Sequence, residues 1–297
     1  MSGPEVGVAA SMPLPHQRCD CHVHVVGPQD AYPMVADRQY TPGPASHEQL
    51  LAHMARVGLG RVVIVQPSFY GTDNRCMLDS LRRLEGAGRG VAVLPTTVSR
   101  QELDDLAAQG VRGVRINLES AHGHDPAVAN AALNEWAQRI GPLGWHIQIY
   151  AALDVVAAVA PRLQCLQLPT VLDHFAMIPA VTPVGDGRIH AVLELFAQGC
   201  SYVKLSAPYR ISPSPALHRV QITRLAQQLI AANPQRLLWG SDWPHTNRDP
   251  AAGPLQPSAY RVIDPGGLLG ALDDWAPDPL LREQILVGNP ARLYGFA

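Results

Sequence analysis

The stretch RCDCHVHVV, residues 18–26, alternates side-chain character with a period of two and reads as a β-strand carrying two histidines on one face. Seven more short β-branched or apolar runs follow, at 61–66, 91–96, 112–117, 146–150, 170–175, 201–206 and 236–242. Helical-looking segments lie between most of them, at 46–57, 73–84, 99–108, 126–140, 154–163, 188–198 and 216–231, with Ser46, Asp73, Ser99 and Asp125 as N-cap candidates. Eight strands, most of them followed by a helix, predict an α/β fold, a single (β/α)8 barrel of the TIM type over residues 18–297. Two short helices, 279–286 and 289–295, are expected to close the chain. Residues 1–17 are rich in Gly, Pro and Ala and lack the basic head and apolar run of a secretory signal, so a flexible extension is expected there.

Composition narrows the partners. The 297 residues are 47% hydrophobic and 16% charged, enough apolar material for one large core. Net charge is −2 and the basic residues are scattered, so there is no footprint for nucleic acid or anionic lipid. No run approaches the roughly 20 apolar residues that span a bilayer. A cytoplasmic protein with a small-molecule substrate is expected, its oligomeric state left open. The five cysteines (Cys19, Cys21, Cys76, Cys165 and Cys200) form no Cys-x-x-Cys pair and are expected to be reduced. Of 23 basic residues, 22 are arginine; Lys204, inside a predicted strand, is the single lysine.

Strand parity assigns the barrel interior. On the seventh strand Val203 and Leu205 are the outward set, leaving Tyr202, Lys204 and Ser206 inside. On the fifth His146, Gln148 and Tyr150 point inward, and on the fourth Arg115 and Asn117 do. On the first, Asp20, His22 and His24 share the inward parity, with Cys19 and Cys21 opposed. The sixth is ambiguous, since Leu172 and His174 share one parity and Asp173 and Phe175 the other. Barrel enzymes place their chemistry at the carboxyl ends of the strands, so His146, at the start of its strand, is at the wrong end to be a ligand.

At those carboxyl ends stand His22, His24, His174 and Asp242. Two imidazoles spaced i, i+2 on a strand face one way and can hold one ion or one water. The long connections 27–45 and 244–265, rich in proline and glycine, fall on the same face and read as lids or binding loops.

The order His22-Val23-His24, Asp173-His174-Phe175 and GSDWPH (240–245), ending in NPARLY (289–294), resembles the amidohydrolase superfamily. QPSFYGTDN (66–74) and YVKLS (202–206) are similar to the branch that contains 2-pyrone-4,6-dicarboxylate lactonase and related sugar and muconolactone hydrolases. The resemblance runs from Arg18 to Phe296 and implies a lactone hydrolase. Binuclear members of that superfamily carry a bridging lysine or acid on strand four and a histidine on strand five. Here those positions offer Arg115 or Asn117 and Gln148 or Tyr150, so the expectation is no cofactor or one divalent ion, Zn or Mn, held by His22, His24, His174 and Asp242. The resemblance also implies an arginine soon after the strand-six histidine; Phe175, Ala176 and Met177 stand there instead, which removes one anion clamp.

The expected mechanism has Asp242 as general base for a water that attacks the lactone carbonyl, with His22, His24 and His174 polarising that carbonyl directly or through a metal. Arg115, Tyr150 and Arg210 are candidates for substrate orientation, against the alternative of an internal polar network. His245, Asn247, Tyr70 and Ser68 are candidates for the mouth. Lys204 reads as a buried, paired barrel lysine, and His16, His122 and His124 as solvated loop residues. The alternatives are a metal-dependent non-oxidative decarboxylase of the same superfamily and a barrel that binds ligand without turnover.

Overall fold

Eight strands lie side by side in sequence order: β1 (Cys19–Val23), β2 (Arg61–Val65), β3 (Gly88–Ala92), β4 (Val111–Asn117), β5 (His146–Tyr150), β6 (Thr170–Leu172), β7 (Ser201–Ser206) and β8 (Leu237–Gly240). Every neighbouring pair is parallel. Val23 bridges Trp243 just beyond β8, which closes the sheet into a (β/α)8 barrel. These features come from a computed structural model that describes residues 17–117, 126–249, 251 and 253–297. Of the expected 1–17 extension only Gln17 is among them, and His16, His122, His124 and Asp125 lie outside the described residues.

Helices α1 (His47–Val57), α2 (Arg75–Arg83), α3 (Arg100–Ala108), α4 (Pro126–Ile140), α5 (Leu153–Gln164), α6 (Gly187–Ala197), α7 (Arg219–Ala232) and α8 (Pro265–Trp275) surround the strands. Ser46 and Ser99 each close a capping box, with Gln49 and Glu102, as their spacing predicts. Helix α8 departs from expectation, because Gly266, Gly267 and Gly270 dilute its helical signal. What starts it is Asp264, whose carboxylate accepts from the Gly266 and Gly267 amides. β3 lies earlier in the chain than its apolar run suggests. Gly88 and Gly90 pass so close to α2 that a Cβ would sit 2.6 Å from Leu84 and 2.9 Å from Leu81. Among the described residues no helix is long and apolar enough to cross a membrane.

The core has two parts. Outward strand residues such as Val62, Ile64, Val114, Ile147, Val203 and Leu205 pack against the helices. Inside the barrel, Val63, Val65, Val91, Val171, Tyr202 and Leu238 fill the amino-terminal half with Cys19 and Cys21, and Tyr294 and Phe296 from the chain end plug it. His146 is at this end, its ring 5.3 Å from that of Tyr294.

The placement of Cys19, Cys21 and Asp20 corrects the parity expected for the first strand. Asp20 pairs with Val62 but Val23 with Ile64, so three steps of β1 match two of β2. This irregularity puts both Cys21 and His22 inside and sends Asp20 outward to α1. Strict alternation cannot survive an extra residue. The long connections also meet, since Thr41–Pro42 pairs with Pro257–Ser258 as a small parallel ribbon.

Gly240 is where β8 lets the irregular part of β1 approach, for a Cβ there would lie 2.8 Å from His22 Cβ and 3.0 Å from its amide nitrogen. Gly240→Ala is expected to cost about 1–3 kcal/mol through overpacking. The check is its urea midpoint, which should fall with an unchanged m-value.

Candidate active site

The carboxyl ends of β6, β7 and β8 are bent by residues in the left-handed region: His174 (φ 48°), Ala207 (46°), Asp242 (62°) and His245 (67°). None is glycine, so each costs roughly 1–2 kcal/mol that the surrounding packing must offset. The turns resolve the sixth-strand ambiguity. Asp173 continues the inward parity of β6, and the left-handed backbone at His174 brings that neighbouring side chain to the interior too.

Asp242, His22 and His24 meet across the closing seam. Asp242 N donates to His22 O (2.9 Å) and His24 N to Trp243 O (2.8 Å). Asp242 Oδ1 lies 3.6 Å from His22 Nε2 and 3.4 Å from His24 Nε2. His24 Nδ1 donates to the Val65 carbonyl (2.7 Å), so a His24 ring without a second hydrogen would present Nε2 as a lone pair. His22 Nε2 and Asp242 Oδ1 are both buried without a hydrogen-bond partner. Lys204 can only donate to His22 Nδ1, so a neutral His22 carries its hydrogen on Nε2; the bare Asp242 Oδ1, beside His24 Nε2, is the atom that calls for a cation or for a molecule with hydrogens to donate.

The other carboxylate oxygen is saturated. Oδ2 accepts from Tyr209 Oη (2.9 Å) and from Arg210 Nε and a terminal nitrogen (3.3 and 3.2 Å). Burial pushes the Asp242 carboxyl upward, but the Arg210 guanidinium and the neighbouring histidines together outweigh it and hold the group well below the usual carboxylate range. Burial depresses His174 to about 4, and burial with Lys204 holds His22 well below its ordinary value. The His22 and His174 imidazoles are therefore neutral near pH 7.

A charged floor lies beneath. Asp173 Oδ2 accepts from Arg115 (3.2 and 3.0 Å) and from Gln148 Nε2 (3.1 Å). Lys204, fully buried, donates to Gln148 Oε1 (2.7 Å) and lies 3.3 Å from His22 Nδ1 and 3.5 Å from Asp173 Oδ1. It is the paired barrel lysine that its position suggests. Behind the seam, Asp20 accepts from the amides of His22 (3.1 Å) and Ser241 (2.9 Å) and contacts His53 Nε2 (3.1 Å), linking the strands that carry the site.

Among the described residues, two groups of buried donors could hold a metal: His22, His24 and Asp242, or His22, Asp173 and His174. Three of the four expected ligands fall in the first, and His174 falls in the second. The second has its carboxylate already matched by Lys204 and Arg115, so the first is the better cation site. Two imidazoles and a carboxylate suit a zinc-like ion.

The remaining expected residues divide. Tyr150 stacks on Arg115 (5.0 Å) and meets His174 edge-on (5.3 Å). Arg115 itself is committed to Asp173, which leaves Arg210, with 23% of its side chain exposed, as the cation at the mouth beside Asp242. Tyr70 accepts from the Gly27 amide and supports the loop after β1. Ser68 and Asn247 are half-buried with no side-chain bond to the cluster, and His245 turns toward Tyr209 (3.2 Å). Sequence reasoning passed over Tyr209, and also Tyr40, which bonds Thr246. Neither belongs to a regular strand or long helix, so no periodicity marks it.

Several comparisons bear on this geometry. The sequence profile of the amidohydrolase family matches residues 19–296. The chain is 34% identical to the 2-pyrone-4,6-dicarboxylate hydrolase of Comamonas testosteroni over 95% of its length and 91% of the relative's. It is 32% identical to the 4-sulfomuconolactone hydrolase of Rhizobium radiobacter, covering 96% and 92%. The crystal structure of a probable 2-pyrone-4,6-dicarboxylic acid hydrolase from Acinetobacter baumannii, with citric acid bound, superposes with a TM-score of 0.80 at 27% identity, covering 94% of this chain and all (100%) of that one.

Burial lowers His146 to about 3 and His174 and His245 to about 4, against about 6.5 in an unfolded chain. Between about pH 6.5 and 4 the folded state thus binds fewer protons than the unfolded, and stability falls as pH falls. The urea midpoint is expected to drop across that window, and to drop less in His146→Gln. A midpoint flat from pH 6.5 to 4.5 would contradict neutral buried imidazoles.

Proposed function

The chain belongs to the amidohydrolase family, and from that premise we propose that it hydrolyses a small carboxylated or sugar-derived lactone at the cluster of His22, His24, His174 and Asp242. The observation that carries the reading is the convergence of Asp242 Oδ1, which has no hydrogen-bond partner, with the Nε2 atoms of His22 and His24, buried at the barrel mouth. A water fits between Asp242 Oδ1 and His24 Nε2 because it has two hydrogens to give. Relatives named as lactone hydrolases supply the electrophile class.

In this mechanism Asp242 Oδ1 takes one proton from the water while its oxygen bonds to the lactone carbonyl carbon. His24 Nε2 accepts the other hydrogen and aligns the attack. The ring carbon–oxygen bond then breaks, and Asp242 returns its proton to the leaving oxygen, so the base ends as it began. His24 acts as an acceptor here, which revises the expectation that all three histidines polarise the carbonyl: its Nδ1 hydrogen is committed to Val65. Neutral His174, whose Nδ1 pairs with Ser206 Oγ at 2.8 Å, and Arg210 are the donors near the developing oxyanion.

His22, His24 and Asp242 also fit one divalent ion, which when bound supplies Lewis acidity at the carbonyl. Two carboxylates, Asp173 and Asp242, face three basic groups, Lys204, Arg115 and Arg210, leaving an excess of one positive charge. That excess favours an anionic substrate, with Arg210 as the group that meets its carboxylate. The citric acid in the Acinetobacter baumannii protein is a carboxylate ligand on the same fold.

Assay of the purified protein on a panel of lactones, some carrying a carboxylate and some neutral, tests the reading. Ring opening is expected for a carboxylated member and should fall by about a thousandfold or more in Asp242→Asn; activity that survives this change would sink the mechanism. Elemental analysis is expected to find no more than one divalent ion per chain, with any bound ion lost in His24→Ala. Two equivalents would overturn the single-ion assignment.

A further inference from the structure

Tyr209 lies on the single helical turn Pro208–Ile211 that follows β7, behind Asp242 as seen from His22 and His24. Its hydroxyl is 2.9 Å from Asp242 Oδ2 and 3.2 Å from His245 Nδ1. A phenol has one hydrogen to give. The Asp242 carboxylate, held ionised by Arg210, can only accept, so the hydroxyl must donate to Oδ2. The phenol oxygen is then the acceptor for His245, and His245 must carry its hydrogen on Nδ1. This leaves His245 Nε2 as a lone pair, and that atom is buried with no partner.

We propose that Tyr209 and His245 are positioning residues for the reaction assigned above, forming a directed chain from His245 Nδ1–H to the Tyr209 oxygen and from the Tyr209 hydroxyl to Asp242 Oδ2. The proposal rests on Asp242 being the base. Its consequence is a division of labour within one carboxylate. Oδ2 is fully engaged by Tyr209 and Arg210, while Oδ1 stays bare toward the histidines. The proton taken from water can therefore reside only on Oδ1, the atom from which it returns to the leaving oxygen.

The surroundings hold the chain in place. The guanidinium groups of Arg210 (5.6 Å) and Arg261 (5.1 Å) both lie against the Tyr209 ring, and the Arg261 amide donates to the His245 carbonyl (2.9 Å). The His245 amide donates to Asp242 O (2.7 Å) from a left-handed backbone, so the imidazole is tied to the residue that it helps to orient. Burial and the Asp242 charge raise the Tyr209 phenol well above its ordinary value, which keeps the hydroxyl hydrogen in place.

The experiment has two arms. Nitrogen-15 spectra of the full chain labelled in histidine, with His245 assigned by its loss in His245→Gln, are expected to show a neutral ring protonated on Nδ1. Protonation on Nε2 would overturn the chain's direction. This readout needs no substrate, so it stands or falls separately from the lactonase reading. On whichever lactone the wild type opens, Tyr209→Phe is expected to lower kcat about ten- to a hundredfold with KM within about twofold, at an unchanged melting temperature. The double variant Tyr209→Phe, His245→Gln should be no slower than Tyr209→Phe, because both changes cut one chain. Additive losses, or a Tyr209→Phe enzyme with wild-type kcat, would overturn the assignment.

Discussion

The site depends on the seam where β1 meets the chain leaving β8. A barrel must bring its first and last strands together, and here the hydrogen bonds that close it run between residues of the candidate site. His22, His24 and Asp242 are thus positioned by closure itself. Gly240 permits the close approach, and Asp20 binds the amides of His22 and Ser241 from behind. The irregularity of β1 is what frees Asp20 for that task, because it turns the carboxylate away from the interior while keeping both histidines inside.

Above the apolar plug of Tyr294 and Phe296 the interior changes character over one layer. Buried charges there are tolerated because each is matched. Asp173 is shared among Arg115, Lys204 and His22, and Lys204 has Gln148 as a further acceptor. Fully paired, such a network fixes one arrangement of side chains; with any member missing, an uncompensated charge would remain at a cost of about 3–5 kcal/mol. In the layer above, Asp242 Oδ1 and His22 Nε2 lack hydrogen-bond partners, as does Asp173 Oδ1 below them, which keeps only its ionic contacts with His22 and Lys204. Leaving a carboxylate oxygen bare in a protein interior is unfavourable, which is why Asp242 Oδ1 is the candidate point of contact for a bound molecule.

How much of this was legible in the sequence follows from which interactions are local. The period of two in RCDCHVHVV, and the recurrence of such runs between helical segments, gave the barrel, and His22, His24, His174 and Asp242 stood out as strand-end residues. Gly88 and Gly90 in β3 and Gly266, Gly267 and Gly270 in α8 misled the reading of elements, because their reason is close approach or a cap and not propensity. Tyr209 had no signal at all: it sits on a single turn, and its partners, Asp242 and His245, lie 33 and 36 residues away.

By itself the sequence determined the fold class, the order of strands and the chemical type of each candidate group, since periodicity and residue identity are properties of the chain. Only the tertiary structure decided which atoms face one another. It set the side to which Asp20 points, brought Asp173 and His174 to the same interior, committed His24 Nδ1 to Val65 and saturated one oxygen of Asp242 while leaving the other bare. Each outcome turns on an extra strand residue, a left-handed dihedral or a hydrogen bond between distant segments. None of these leaves a mark on local pattern, because each takes its energy from contacts that exist only once the barrel has closed.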